Sequence, residues 1–506
     1  MHALYINVES DAEIDDFVLN KIKTSKEVNV SVDEIVFKVF YDPREWSCEP
    51  ILETEDNIVG VAGWFILNGK KNDLEALLEE LKKNEPHNVI RSIEHGVFTA
   101  FYLSKADNRY VVFSDPMGLS SSYYKIDNGN VVVSASAKRL VKERDKKNNR
   151  LLEKINYIPG VECLDSSVKR LCSGDLLFSS GETRSEEVVI SNKNTAYVHS
   201  YRQAIDYMNY ISGFWDKKEK HVPISSGFDS RLIAIVGDAA KSYTWGPENA
   251  FDIKAGRTIA KELGLYHYSF RFLSNKMEEK DKLYDYFVCG AGKTNINLVS
   301  AYGEAFKHIS DTHVCLDGYL GDVLQRGTFL FGKGVGAEFK KFFPSLVSYQ
   351  SESSLLKDRL KDLDDKDFET IWSDYSRRTG SLKLAPLHKV SYYECFYGRG
   401  GRHAIFGGNT LNAIFNTVVP LMFNPAVFTF FFHLDPKEVG REVSFVKLWK
   451  EVDEKKYGKV KKLRSENFVN CYTPPVYMSK LKFLGRIANN YIPCFFNYTK
   501  ENIRGE

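Results

Sequence analysis

Cys-x-x-Cys occurs nowhere in this sequence, although eight cysteines (Cys48, Cys163, Cys172, Cys289, Cys315, Cys395, Cys471 and Cys494) are scattered through its 506 residues. That absence argues against a zinc ribbon, an iron–sulfur cluster and a disulfide scaffold, and the scatter fits a reducing cytoplasm. An excess of one charge is also missing: 69 basic and 67 acidic side chains leave a formal net charge of +2. No general field for nucleic acid or an anionic membrane arises from that balance, so neither partner is expected. Long apolar runs are lacking as well. The most apolar window, Leu411–Leu434, is interrupted by Pro420, Pro425 and three asparagines, and reads as buried core rather than a membrane span. The opening residues, Met-His-Ala-Leu-Tyr-Ile-Asn-Val-Glu, contain no basic region followed by an apolar stretch, so no signal peptide is expected. What is plentiful is apolar side chain, 43% of the total, enough for the cores of two or three domains.

Val-, Ile-, Phe- and Tyr-rich segments at 3–9, 34–42 and 57–68 predict strands. Asp73–Lys83 has leucines at helical spacing behind a capping aspartate and predicts an amphipathic helix. Hairpin-like strands follow at Gly96–Ser104, Arg109–Ser114, Ser121–Ile126 and Val131–Ala135, separated by Asp-Asn, Asp-Pro-Met-Gly and Asp-Asn-Gly-Asn turns. The first part of the chain therefore reads as an antiparallel, β-rich domain. Residues 182–198 are polar and read as a linker, after which Tyr201–Trp215 predicts a helix. Strands at Lys241–Trp245 and Tyr266–Phe270, with a helix at Asp252–Leu263 between them, point to a parallel sheet with both faces covered.

The stretch that organises this second part is His221–Leu232, His-Val-Pro-Ile-Ser-Ser-Gly-Phe-Asp-Ser-Arg-Leu. It reads as a short strand, a turn of small residues and the start of a helix over Arg231–Ala239. Ser225, Ser226 and Gly227 let the backbone curl and aim N–H groups at one point, an anion site of the kind phosphates occupy. Asp229 adds a hard oxygen ligand suited to magnesium, and Ser230 can cap the helix or touch phosphate. The six residues alone fit an ordinary capped turn equally well.

The stretch resembles the Ser-Gly-Gly-x-Asp-Ser pyrophosphate loop of the ATP pyrophosphatase superfamily, with Ser226 in place of the first glycine. Trp245–His267, in which a strand ends at Gly246 and Asp252 opens a helix with Ala255 and Ala260 facing the sheet, resembles the second block of asparagine synthetase-like domains. Val314–Val323, Val-Cys-Leu-Asp-Gly-Tyr-Leu-Gly-Asp-Val, resembles their Gly-Glu-Gly-Gly-Asp-Glu block: Gly318, Gly321 and Asp322 match, and Tyr319, Leu320 and Val323 depart. Ahead of these blocks, Gly96–Tyr102, Val112–Gly118, Ser122–Tyr124, Val133–Leu140 and Ser167–Gly181 resemble the glutaminase-type domain of class II amidotransferases.

The resemblance implies an α/β protein: an N-terminal Ntn-type α+β sandwich, a degenerate glutaminase, over 1–195, then a parallel-sheet ATP-pyrophosphatase domain with a helical C-terminal part over 196–506. It implies ATP and Mg2+ as cofactors, bound by Ser225, Ser226, Gly227, Asp229, Ser230, Gly246, Gly318 and Gly321, with the metal on Asp229 and Asp322. Relatives attack glutamine with a cysteine at position 2, where this chain has His2, read as an exposed residue; glutaminase activity is not expected. Tyr319 resembles the tyrosine of β-lactam and carbapenam synthetases, which pairs with a glutamate, here Glu394, to deprotonate an internal amine; packing at the sheet edge is the other reading. Lys447, in Val446–Glu451, resembles the lysine that meets the acyl-adenylate or pyrophosphate; a solvated helix position is the other reading. Only the proline and the apolar character survive of the family's acceptor block at Val418–Pro425, which implies a different acceptor side. The expected activity is ATP-dependent amide formation from a carboxylate and an amine, small molecules or a peptide, as in lasso peptide cyclases. Ammonia-dependent amidation of aspartate or a sugar acid, and a nucleotide-binding paralogue without turnover, are the alternatives. A homodimer is left open. The basic run Lys455–Arg464 reads as solvated surface.

Overall fold

The computed structural model describes residues 2–8, 25–246, 250–270, 286, 292, 297–330, 351–401, 408–440 and 443–453. Within them the chain forms two antiparallel sheets followed by a parallel one. The six-stranded sheet runs in the order Lys169–Arg170, Tyr123–Asp127, Asn130–Ser134, Ala3–Ile6, Ile35–Tyr41, Lys26–Val32. The seven-stranded sheet runs Thr183–Ser185, Asp175–Phe178, Arg109–Ser114, Ile93–Ser104, Asn57–Leu67, Ile51–Glu53, with Lys70–Lys71 also on Asn57–Leu67. The two hairpins read from the sequence form as pairs but belong to different sheets, one to each.

The sheets face each other across Leu4, Ile6, Phe37, Val39, Ile58, Phe101 and Val112. Phe37 and Phe101 stack across that core with ring centroids 4.2 Å apart. The helix Leu74–Lys83 lays Leu74, Leu77, Leu78 and Leu81 against the other face of the seven-stranded sheet, and Asp73 caps it by accepting from the Ala76 N–H at 2.9 Å. Asn57–Leu67 is thus covered on both sides, which is why it is a continuous apolar run rather than an alternating one. Lys26–Val32, which the sequence did not reveal, is a half-exposed polar edge strand with no apolar run to announce it.

The parallel sheet has the order Tyr266–Phe270, Lys241–Trp245, Lys220–Pro223, Val314–Asp317, Thr417–Pro420. Numbered along the chain this is 3-2-1-4-5, all neighbours parallel. The order reverses between Lys220–Pro223 and Val314–Asp317, and in open α/β sheets ligands bind in the crevice outside the carboxyl ends of strands at such a point. Leu232, Ile233, Ala255 and Ile259, from the helices Phe228–Val236 and Phe251–Leu263, share a core with Val222 and Leu316. Tyr243 packs instead with Tyr302, Ala305 and Ile309 and with Ala3, Tyr5 and Phe40 of the six-stranded sheet, which seats the antiparallel layers against the parallel one.

One expectation is corrected. The polar segment 182–198 is no plain linker: it holds the strand Thr183–Ser185 and the 3-10 turn Lys193–Tyr197, with Asn192 and Asn194 buried by their hydrogen bonds to Ile93 O and Ser92 O. Val418–Pro425 supplies the end of the fifth parallel strand and the start of the helix Pro425–His433, so its apolar character serves the core. Lys455–Arg464 lies outside the described residues.

Candidate functional site

At the carboxyl end of Lys220–Pro223 the chain turns through Ile224–Gly227 and enters the helix Phe228–Val236, three residues earlier than the sequence reading placed it. The turn is stitched from within. The Ser225 N–H donates to Ser230 Oγ at 3.1 Å, the Gly227 N–H to Ser225 Oγ at 3.1 Å, and the Ser226 N–H to Asp252 Oδ1 at 2.8 Å. Arg231 Nη2 donates to Ser226 O at 2.8 Å. The amides expected to face phosphate are therefore engaged by the loop's own side chains, and Asp252 is a loop anchor as well as a helix opener. The helix itself has Gly227 at its N-cap with no side-chain cap, so its first-turn amides form the anion-facing end.

Asp229, in that first turn, is held on both oxygens: Gln325 Nε2 donates to Oδ1 at 2.6 Å and Arg326 Nη2 to Oδ2 at 3.0 Å. Burial raises its pKa to about 6; Arg326 opposes the rise and the charge of Asp322 adds to it. The two carboxylates thus feel one another across the switch point. Asp322 Oδ2 accepts from Thr328 Oγ1 at 2.7 Å. Glycine is required at 321 for their approach, since a Cβ there would lie 2.9 Å from Asp229 Cβ, whereas one on Gly318 would make an ordinary contact at 3.4 Å with the Asp229 backbone. Leu320 occupies the left-handed region, φ 55°, a conformation that for a bulky residue stores on the order of 1 kcal/mol or more. The turn keeps the backbone a glycine would supply even though the glycine is gone. Gly246, φ +154°, ends the second strand with its N–H on Phe270 O at 3.2 Å.

The three catalytic candidates are not brought together. Tyr319 hydrogen-bonds Tyr302 and presses against Gly408, where a Cβ would meet its hydroxyl at 2.1 Å. Beneath it lies Asp317, 8% exposed, whose pKa burial lifts to about 7 against donation from the Tyr319 and Gly318 amides. Glu394, the expected partner of Tyr319, is instead sealed in an ion pair with Arg359 at 2.7 Å and accepts from the Arg399 N–H at 2.9 Å. With Arg359 on one oxygen and the Arg399 N–H on the other, this glutamate is committed. Lys447 pairs with Glu438 at 2.8 Å, because its helix turns Phe445 and Trp449 onto Phe228 and leaves Lys447 on another side. Among the described residues, the cation that meets the crevice carboxylates is Arg326. Neither it nor Asp317 is singled out by the sequence: Asp317 closes the strand ahead of the matched glycine, and Arg326 follows the matched block by three residues with no motif of its own.

Asp229 and Asp322 bring two hard oxygen donors to adjacent strand ends, but both Asp229 oxygens are engaged by Gln325 and Arg326, and no cluster of three such ligands occurs among the described residues, so an ion here would have to displace Arg326 and complete its shell from the phosphates.

His2 is not the exposed residue expected. It stands half-buried ahead of Ala3–Ile6 with both ring nitrogens shielded, and burial lowers its pKa to about 4. It lines a cavity of about 40 Å³ with Trp64, Ser121, Asn409, Asn416 and Val418. Ser121 Oγ, Asn409 Oδ1, Asn416 Oδ1 and both His2 nitrogens have no partner there, so serine and histidine are not hydrogen-bonded to each other as a nucleophile and base would be.

No protein-family model and no curated protein matches the chain. Among solved structures it is similar to an allosteric regulatory enzyme of purine biosynthesis, 9% identical, covering 49% of this chain and 66% of that one with a TM-score of 0.24. It is also similar to the glutamine phosphoribosylpyrophosphate amidotransferase of B. subtilis in complex with ADP and GMP, 11% identical, covering 53% and 65% with a TM-score of 0.24. The chain spans just under two thirds of each, and scores this low carry no argument about activity.

Proposed function

We infer that this chain is an AMP-forming carbon–nitrogen ligase that binds ATP at the crevice between Lys220–Pro223 and Val314–Asp317 and has no glutaminase activity. The observation that supports it most is the meeting of two carboxylate-bearing turns, at Asp229 and Asp322, where the strand order reverses. In this reading the uncapped first turn of Phe228–Val236 receives phosphate oxygens, and Asp229 and Asp322 hold magnesium. The ion supplies charge neutralisation on the phosphates. Arg326, whose planar fork matches phosphate as well as carboxylate, exchanges Asp229 for the triphosphate and takes the part assigned to Lys447. A substrate carboxylate attacks the α-phosphorus, pyrophosphate leaves, and an amine displaces AMP to give the amide. The test is ATP–pyrophosphate exchange with panels of carboxylic acids; exchange dependent on one acid is expected, and none with any acid would count against ligation.

A second reading, nucleotide binding without turnover, is favoured by one observation: Arg326 and Gln325 already satisfy both oxygens of Asp229. It predicts ATP binding insensitive to chelation of magnesium and no exchange.

A further inference from the structure

We propose that the pocket between the turn at Asn68–Gly69 and the helix Tyr201–Ser212 binds a small organic ammonium ion. It has a volume of about 520 Å³, within the range of small-molecule sites, and shares no residue with the strand-end crevice. Three tyrosines line it: Tyr197, 65% exposed; Tyr210, 42% exposed; and Tyr207, buried behind them. Exposed aromatic surface on this scale is unusual beside a carboxylate that lacks a cation, and that is what the pocket contains. Glu94 is 8% exposed; one oxygen accepts from the Gly69 N–H at 2.7 Å and the other from the Tyr210 hydroxyl at 2.7 Å. Each oxygen keeps room for a second donor.

No lysine, arginine or histidine lines the pocket, and Glu94 has no ion-pair partner among the described residues. The cations near its rim have other partners. Lys193 Nζ donates to Ser92 Oγ at 2.7 Å, and Arg202 pairs with Asp206 at 3.2 Å. The negative charge of Glu94 is therefore matched only by neutral donors. Burial first, and Glu94 next, push the hydroxyls of Tyr207 and Tyr210 above the ordinary phenol range, so the rings stay neutral. Electron-rich rings together with a carboxylate attract a cation that carries apolar substituents. A bare metal ion is a poorer match, since it would need several hard oxygens and no metal-binding cluster occurs among the described residues. An anion would find no positive group in the lining.

The test is ligand-observed NMR and calorimetry on the full chain with choline, propylammonium and 3,3-dimethylbutan-1-ol, the uncharged isostere of choline. Saturable binding of at least one cation is expected, with the isostere weaker by roughly tenfold or more. Tyr197→Ala, at an exposed position that leaves the melting temperature unchanged, should weaken the cation about tenfold. Glu94→Gln should abolish the difference between cation and isostere. Equal binding of the isostere, affinity indifferent to Tyr197→Ala, or no saturable binding of either cation would each overturn the proposal.

Discussion

The strand-end crevice and the cavity beside His2 are both polar clusters at the edge of a sheet, yet they hold charge in opposite ways. In the crevice the carboxylates face charge: Asp229 meets Arg326 and feels Asp322, and the head of a helix lies open beside them. In the cavity the groups are an imidazole held neutral, two amides and a hydroxyl, with four residues keeping atoms that have no partner. Charges that can exchange partners suit a site where phosphate charge must be received and passed on. Neutral orphans in about 40 Å³ suit one or two ordered waters and no developing charge. In the proposed reading the chemistry belongs to the crevice, and the cavity beside His2 is a packed polar pocket that takes no part in it.

The comparison breaks most directly at Asp229 and Asp322. The double substitution to asparagine should lower ATP–pyrophosphate exchange on the order of a thousandfold, and either single change a hundredfold. Retained exchange in the double variant would move the chemistry elsewhere. Tyr319→Phe sharpens the assignment within the crevice. Its hydroxyl bonds Tyr302 and feels the charge of Asp317, so if it relays a proton in the proposed reaction, amide formation should slow about a hundredfold while exchange changes by less than about threefold. Equal loss of both would make Tyr319 a structural or nucleotide-site residue. Gly321→Ala tests the approach of the two turns: a Cβ 2.9 Å from Asp229 Cβ should destabilise the fold by about 1–3 kcal/mol, read from a denaturant melt, and an unchanged midpoint would show the turn to be loose.

Much of this was legible in the sequence because it rests on local pattern. Lys241–Trp245 and Tyr266–Phe270 are β-rich runs with turn residues at both ends, and the structure keeps their limits; Phe251–Leu263 starts one residue before the helix read from the sequence. The strand-end position of Asp229 follows from small residues between a strand and a helix, whereas the reversal of strand order beside it is visible only in the sheet. What is not legible is long-range. Lys447 resembles a reactive lysine by sequence, but which face of its helix meets Phe228 is fixed by Phe445 and Trp449 packing across the fold. Glu394 reads as a free acid until Arg359, thirty-five positions away, is seen to seal it. His2 reads as surface until Asn409 and Asn416 close over it. No periodicity encodes such contacts.

The smallest expected effect concerns His2 and asks whether the cavity is only structural. The pKa of His2 in the fold is about 4, below its usual 6.5, because burial disfavours the imidazolium. Between those values the unfolded chain holds the proton and the fold does not, so stability rises with pH. It is complete above pH 6.5 and is lost as pH falls towards 4. Other buried histidines, His95, His221 and His388, pull the same way, so only the difference between variants isolates one of them. His2→Asn removes the titration at similar volume. Thermal or urea melts should show that the native chain loses roughly 2 kcal/mol more than the variant between pH 7.5 and pH 4.5. At pH 7.5 ATP–pyrophosphate exchange should be the same in both. A pH-independent difference would mean that the imidazole reaches solvent. A fall in exchange at pH 7.5 would couple the cavity to the crevice, and the division of labour drawn between the two regions would fail.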